Sequence, residues 1–324
     1  MQEESNSRRL FVRNSLAYGL GMGILGCLAC NDFSNEDLKK TARKPVEKAW
    51  FTISLAQWSL HKMIQSGKLD NLGFAAFTKS EFGIEAIEYV NTFFTKGTNK
   101  AYLKELNQRA SDEGVQQVLI MVDGEGDLGN TDAKERKKAI EYHHQWVEAA
   151  SALGCESIRV NAFGKGSEKD VQNAVIESLR SLAEYALSYK INVVVENHGG
   201  YSSDGKWLGE VMRKINMPNC GTLPDFGNFC LRRLNGDRWD GPCVDEYNKY
   251  MGVAELMPFA KGVSAKSYAF DAGCNESTID YGKMMEIVKA SKYDGYIGIE
   301  YEGNELSEIE GIRKTKDLLS LYNV

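Results

Sequence analysis

The chain has 324 residues, 43% of them hydrophobic and 26% charged, and its 39 Lys and Arg stand against 45 Asp and Glu for a formal charge of −6. This balance is ordinary for a soluble globular protein and excludes bulk disorder and collagen-like repeats. It also argues against a nucleic-acid partner, because affinity for phosphate backbones comes largely from Lys and Arg.

The first thirty residues read as an address. Ser7-Arg8-Arg9-Leu10-Phe11-Val12-Arg13 leads into an apolar, small-residue run from Leu16 to Leu28. The run is too short to span a bilayer and suits the h-region of a signal peptide. An Arg pair just ahead of it is the mark of twin-arginine export. Gly26-Cys27 and Leu28-Ala29-Cys30 both resemble a lipobox, in which the Cys becomes a lipidated N-terminus; cleavage near Ala29 to a soluble product is the alternative. Either way the expected location is outside the cytoplasm, periplasmic or anchored to a membrane. Losing this segment removes three Arg and two Glu and moves the charge from −6 to −7. Residues 31–48 are polar and charge-rich and read as a tether.

From there short apolar runs alternate with longer amphipathic ones. Strands are predicted at Phe51–Gln57, Ile84–Val90, Gln116–Val122, Ser157–Ala162, Ile191–Glu196, Gly221–Asp225, Gly262–Lys266 and Tyr296–Tyr301. Their Val and Ile content and short length are those of buried parallel strands. Between them lie helical stretches such as Ala101–Glu113, Asp132–Leu153, Glu168–Tyr189, Lys206–Lys214, Asp245–Phe259 and Ile279–Lys292, and a last helix, Glu308–Leu321, closes the chain. Eight strand-then-helix units over residues 49–324 predict a single-domain (β/α)8 TIM barrel. A doubly wound sheet is the alternative, but no G-x-G-x-x-G follows the first strand to support it. Five cysteines lie in this body, with no Cys-x-x-Cys pair. Cys230 and Cys243 flank one Gly-containing loop and could close it, but isolated buried thiols are the preferred reading.

In such a barrel chemistry sits at the carboxyl ends of the strands. There the apolar runs break into Gln57-Trp58-Ser59, Arg159-Val160-Asn161, Glu196-Asn197-His198, Asp225-Phe226-Gly227-Asn228, Ser264-Ala265-Lys266 and Glu300-Tyr301-Glu302. Glu196, Asp225 and Glu300 thus converge on one mouth from three strands. Their repulsion and desolvation call for a cation, and oxygen-rich ligation suits Mn²⁺, Mg²⁺ or Co²⁺, with Zn²⁺ possible. Capping of helices, or pairing with Arg159, Lys266 or Arg232, is the bland alternative. His198 is a ligand, a substrate contact or a loop residue. His61 follows the first strand and gives only a weak signal; His143-His144 lies mid-helix and reads as a solvated or packing pair.

These segments, Val195-Glu196-Asn197-His198-Gly199-Gly200, Leu223-Pro224-Asp225-Phe226-Gly227-Asn228, Val263-Ser264-Ala265-Lys266-Ser267-Tyr268 and Ile299-Glu300-Tyr301-Glu302-Gly303, resemble the sugar isomerase/epimerase superfamily of xylose isomerase-like barrels, which also contains endonuclease IV. The likeness runs from about Phe51 to Leu321. It implies a divalent metal held by Glu196, Asp225 and Glu300. Two departures are plain: Ser264 stands where the family's histidine ligand falls, with Lys266 in the family's usual lysine place two residues later, and Asn228 stands where the endonuclease branch has a histidine. Any ion would then lean on Asn228, His198, Lys266 or water.

The resemblance implies proton abstraction beside a carbonyl on a small carbohydrate, with Glu196 and Glu300 as paired carboxylates and Lys266 stabilising the oxyanion. Arg159, Asn161, His198, Gln57, Trp58 and Trp239 are the candidate sugar contacts. The same enediolate chemistry supports a 3-keto-glycoside lyase or hydratase. A barrel that binds carbohydrate without catalysis is the remaining alternative. The segment Phe229–Val244, with Arg232, Arg233, Trp239 and Asp240, is long for a strand-to-helix connection and reads as a lid. The aromatic stretch Tyr89 to Phe94 could line the mouth, although core packing is the more common fate.

Overall fold

In a computed structural model, the structure describes residues 49–236 and 238–323. The predicted export signal, its two candidate lipidation cysteines and the polar tether lie outside the described residues. Among those described, no helix is long and apolar enough to cross a membrane.

Eight parallel strands form the central sheet: β1 (Thr52–Ala56), β2 (Ala86–Val90), β3 (Gln116–Met121), β4 (Ser157–Val160), β5 (Asn192–Glu196), β6 (Cys220–Leu223), β9 (Val263–Ser267) and β10 (Tyr296–Tyr301). Their spatial order is β6-β5-β4-β3-β2-β1-β10-β9, so each strand neighbours the next in sequence and β1 pairs with β10. The seam between β6 and β9 is closed by single bridges, Thr222 to Ala260 and Asp225 to Ser264. Pro224 carries no N–H, so a regular ladder cannot run through this seam. Instead Ser264 N donates to Pro224 O and Phe226 N to Ser264 O. The predicted TIM barrel is thus present, nearly closed, with the predicted ligand Asp225 bridged to Ser264 on its seam.

The helices α1 (His61–Gln65), α2 (Phe74–Phe82), α3 (Lys100–Asp112), α4 (Ala133–Leu153), α5 (Glu168–Leu187), α6 (Gly205–Ile215), α7 (Lys249–Leu256), α8 (Tyr281–Ala290) and α9 (Glu308–Tyr322) accompany the strands. Side-chain caps begin most of them, Asn99, Asp132, Ser167, Asp204, Asn248, Asp280 and Ser307 each accepting from the first turn. The α2 helix was not predicted, because Gly73 starts it without a cap and its apolar residues are mixed with Thr, Lys and Ser.

Period-two alternation along the strands decides which side chains enter the barrel. Val193 and Val195 of β5 pack outward into the main core, while Val194 belongs to a second, smaller cluster. Glu196 follows Val194 by two and points the same way. Ile158 and Val160, Val263 and Ala265, and Ile297 and Ile299 also join the main core. Their intervening neighbours Arg159, Ser264, Gly298 and Glu300 therefore face the barrel interior.

One connection is elaborated. Between β6 and α7 the chain forms an antiparallel hairpin, β7 (Cys230–Arg233) with β8 (Cys243–Glu246), and Cys230 is disulfide-bonded to Cys243. The preferred reading of isolated thiols is corrected here: the hairpin is irregular in register on both sides of Arg232, and the two cysteine Cα atoms lie 5.8 Å apart, within disulfide reach. Cys155, Cys220 and Cys274 are free.

Candidate active site

A cavity of about 660 Å³ opens at the mouth of the barrel. Glu300 and Glu302 line it from β10 and the residue after it, with Arg159, Asn161 and His198 beside them. Trp58, Phe163 and Trp239 give it aromatic walls. The loop after β3 adds Asp123, Glu125 and Asp127, and His143 reaches it from α4.

Glu196, Asp225 and Glu300 each offer an oxygen within 4.8 Å of the other two, and all three residues are buried. The triad is therefore an oxygen-rich set of the kind a divalent ion takes. All but one of its oxygens are already engaged. Glu196 Oε1 accepts from Asn228 Nδ2 at 2.9 Å, and Oε2 lies 2.9 Å from Arg159 Nε in a charge contact without hydrogen-bond alignment. Asp225 Oδ1 accepts from the backbone amides of Gly227 and Asn228, both at 2.8 Å. The Ser264 hydroxyl sits 2.6 Å from Asp225 Oδ2 and 2.8 Å from Glu300 Oε2. Lys266 Nζ is 3.2 Å from Glu300, 3.1 Å from Glu302 and 3.8 Å from Asp225. Three donors suit a metal; the fourth position holds a hydroxyl, with an ammonium next to it. A divalent ion held by the three carboxylates would stand beside this hydroxyl and this ammonium.

Burial and the crowding of like charges shape the protonation of this cluster. Burial pushes Glu196 up to about 7 against the pull of Arg159, with Glu300 adding to the rise. Burial pushes Asp225 up to about 8 although Lys266 opposes it. The single hydrogen of Ser264 cannot serve two carboxylates at once, so a proton retained on Asp225 completes the pair of hydrogen bonds. Glu88, inside the barrel and bonded to the Ser54 hydroxyl, is raised by burial to about 7. Despite burial, Asp123 is held down to about 2 by Arg159, whose Nη1 donates to it at 2.7 Å. Lys266 is buried, yet Asp225, Glu300 and Glu302 hold its pKa well above the usual value.

His198 Nδ1 lies 2.7 Å from Asn161 Oδ1, while Asn161 Nδ2 donates to Asp123 at 2.6 Å. An amide oxygen only accepts, so the proton sits on Nδ1 of His198 and Nε2 is left as a bare acceptor. Burial first, and then Arg159, pushes this imidazole down to about 4, so it is neutral at physiological pH.

The other predicted contacts separate into two groups. Trp58 lines the cavity, stacks on His61 at 4.8 Å and donates through Nε1 to Glu302. Trp239 also lines it, 4.7 Å from the ring of His198 and 5.3 Å from Phe163. Gln57 does not reach the cavity: Nε2 donates to Asn71 and Oε1 accepts from Val90 N, which ties the end of β1 to β2. Asn228 spends its amide on Glu196 and does not stand as a ligand. Glu196, Asp225 and Lys266 lie behind the cavity wall, at 1%, 0% and 1% exposure. Of the predicted catalytic residues Glu300 alone lines the cavity. Residues not singled out from the sequence are Asp123, Glu125, Asp127 and Phe163; Glu302 appears there only within its motif, and His143, which reads as half of a solvated or packing pair, lines the cavity. The break of the third strand into Asp123-Gly124-Glu125-Gly126-Asp127 is the same signal that marked the other strand ends.

The chain matches the xylose isomerase-like TIM barrel family over residues 78–321. A search of curated proteins finds no match. Among solved structures the fold is shared with D-allulose 3-epimerase from Methylomonas sp., at 13% identity and a TM-score of 0.63 over 85% of this chain and 98% of that one. It is shared with 3-keto-D-glucoside 4-epimerase from E. coli, at 15% identity and a TM-score of 0.60 over 85% and 100%. A xylose isomerase-like barrel protein from Mycobacterium smegmatis, solved in complex with magnesium, aligns at 15% identity and 0.60 over 84% and 97%. With eight parallel strands in barrel order, carboxylates at the ends of three of them and a family match across most of the barrel, the chain belongs to the xylose isomerase-like TIM barrel family.

Proposed function

We propose that this protein is a carbohydrate isomerase or epimerase that moves a proton at a carbon next to a carbonyl. The observation that carries the reading is Glu300, a carboxylate held by Lys266 and Ser264 at the wall of a cavity with aromatic and hydroxyl-binding surfaces. Family membership and the sugar epimerases among its structural neighbours support it. Glu300 removes the C–H proton, Arg159 and Asn161 bind substrate oxygens, and His198 Nε2 accepts from a hydroxyl. A base and a neighbouring cationic donor lower such a barrier by about 10²–10⁴-fold each in rate.

The geometry favours one base over two. Two bases working from opposite faces need the carbon between them, so their oxygens stand roughly 6–7 Å apart at contact distances of about 3–3.5 Å. One oxygen of Glu196 and one of Glu300 lie within 4.8 Å of each other, and Glu196 stands behind the cavity wall at 1% exposure. One carboxylate acting on one face is the pattern of a 1,2-proton shift or of elimination. The volume of the cavity and the half-exposed Trp239 favour, as a second reading, lyase or hydratase chemistry on a 3-keto-glycoside. Export remains part of the proposal, and the Cys230–Cys243 bond supports it, because disulfides persist in oxidising compartments.

The test is deuterium incorporation from D2O, followed by proton NMR, with ketohexoses, aldohexoses and 3-keto-glycosides. Exchange at the carbon beside the carbonyl, lowered at least 10²-fold in Glu300→Gln, is expected. Sugar binding by calorimetry with no exchange on any of them would leave a carbohydrate-binding barrel.

A further inference from the structure

Five of the six oxygens of the carboxylate triad have a hydrogen-bond or ion-pair partner, and the sixth, Glu196 Oε2, has only its misaligned charge contact with Arg159. Glu196 is taken by Asn228 and Arg159, Asp225 by two backbone amides and Ser264, Glu300 by Ser264 and Lys266. A divalent ion binds oxygen at about 2.0–2.6 Å and would need several of these six atoms turned toward one point. It would also stand beside an ammonium that is 3.2 Å from one donor residue and 3.8 Å from another.

The backbone is shaped for that ammonium. Gly227 follows Asp225 by two residues, and a Cβ there would lie 2.8 Å from Lys266 Cγ and 2.6 Å from the Tyr268 hydroxyl. Any other residue at 227 would force Tyr268 or the lysine stem to shift. Lys266 is 1% exposed, so its charge has no solvent route and is balanced by the carboxylates alone. At the position before Ala265, Ser264 offers a hydroxyl that bridges Asp225 and Glu300.

We propose that this is a metal-free centre, in which the Lys266 ammonium and the Ser264 hydroxyl replace the divalent ion and hold Glu300 and Glu302 at the cavity. Lys266 is then a positioning residue: it is covered, but Glu300 and Glu302, two of the carboxylates that line the cavity, end on its nitrogen. The inference rests on the proposed function for its consequence in turnover and stands apart from it in metal content.

The experiment is metal analysis by mass spectrometry of the full-length protein expressed in medium supplemented with Mn, Co and Zn. Far less than one ion per chain, with melting temperature unmoved by EDTA or excess MnCl2, is the expected result. One ion per chain, lost in Asp225→Asn, overturns the proposal. The double variant Ser264→His/Lys266→Met restores a histidine and removes the ammonium, and it is expected to bind one Mn²⁺ per chain by EPR titration. A folded double variant that ignores Mn²⁺ overturns the claim that these two residues keep the ion out. Lys266→Arg keeps the charge and should stay metal-free and folded. If the double variant does not fold, the metal content of the unaltered protein decides. Proton exchange abolished by EDTA would sink the metal-free centre and keep the enzyme; no exchange on any sugar would remove the enzyme and leave the metal result standing.

Discussion

Arg159 carries more of the site than any other single residue. Its guanidinium, 3% exposed, reaches Asp123 with Nη1 and Nη2 and lies against Glu196 with Nε. A planar fork meets its two carboxylates through separate donors of fixed direction, which a lysine ammonium does not supply. Removing it leaves Glu196 buried with one neutral hydrogen bond and Asp123 with only Asn161. Breaking a buried pair from one side costs about 3–5 kcal/mol. Arg159→Met should therefore lose about that much in urea denaturation, with Arg159→Lys in between. A variant as stable as the parent would show that the two carboxylates do not depend on this charge.

At the scale of elements, the hairpin Cys230–Glu246 is the part of the barrel with its own mechanics. β8 is exposed at every residue, and an isolated two-stranded ribbon is marginal in water. Its tip is fastened across the mouth: Arg238 makes a two-pronged pair with Asp127 at 2.8 and 3.1 Å and lies 4.0 Å over the ring of Phe163. The disulfide closes a loop of 13 residues, which constrains local opening by about 3 kcal/mol. Cys230→Ser/Cys243→Ser should raise amide exchange in this segment about 100-fold and raise KM for the sugar, with global melting little changed. Unaltered exchange there would mean that Arg238 and Trp239 hold the hairpin without it.

The same element shows where sequence reading runs out. The length and Trp content of Phe229–Val244 marked it as a lid, but whether Cys230 and Cys243 meet depends on strand register, which two four-residue runs do not encode. Strands were legible because they are apolar on both faces, and Glu196, Asp225 and Glu300 were legible because charge interrupts those runs. What each carboxylate touches was not. Lys266 and Ser264 read as an oxyanion donor and a missing ligand; across a seam broken by Pro224 they instead bind the triad to itself. Gln57 read as a sugar contact because it ends a strand, and folding turns it to Asn71 and the backbone.

For the whole molecule the protonation of the barrel interior sets the response to pH. Glu88 and Glu196 are raised to about 7 and Asp225 to about 8, each by burial first. A raised carboxyl favours the folded state while protonated, so this contribution is complete below its ordinary pKa and is lost as pH climbs through 7 to 8. His143 and His198 are pushed down to about 4 by burial. Their contribution runs the other way: complete above about 6.5 and lost as pH falls through 4. From pH 4.5 to 6.5 the two sets oppose each other and stability changes little. Above 6.5 the histidines are silent and the carboxyls alone titrate. Each pKa unit corresponds to about 1.4 kcal/mol, and 1 kcal/mol moves the midpoint of a barrel of this size by about 2–4 °C. Melting temperature should fall by several degrees between pH 6.5 and 8.5, in a direction opposite to that of a protein held by ordinary salt-bridged carboxylates. Glu88→Gln keeps the acceptor for the Ser54 hydroxyl and removes one titrating group, so its curve should be flatter over that interval. A flat or rising profile in the parent would mean that these carboxyls are ionised in the folded state, with their charge balanced by a cation other than Arg159 and Lys266.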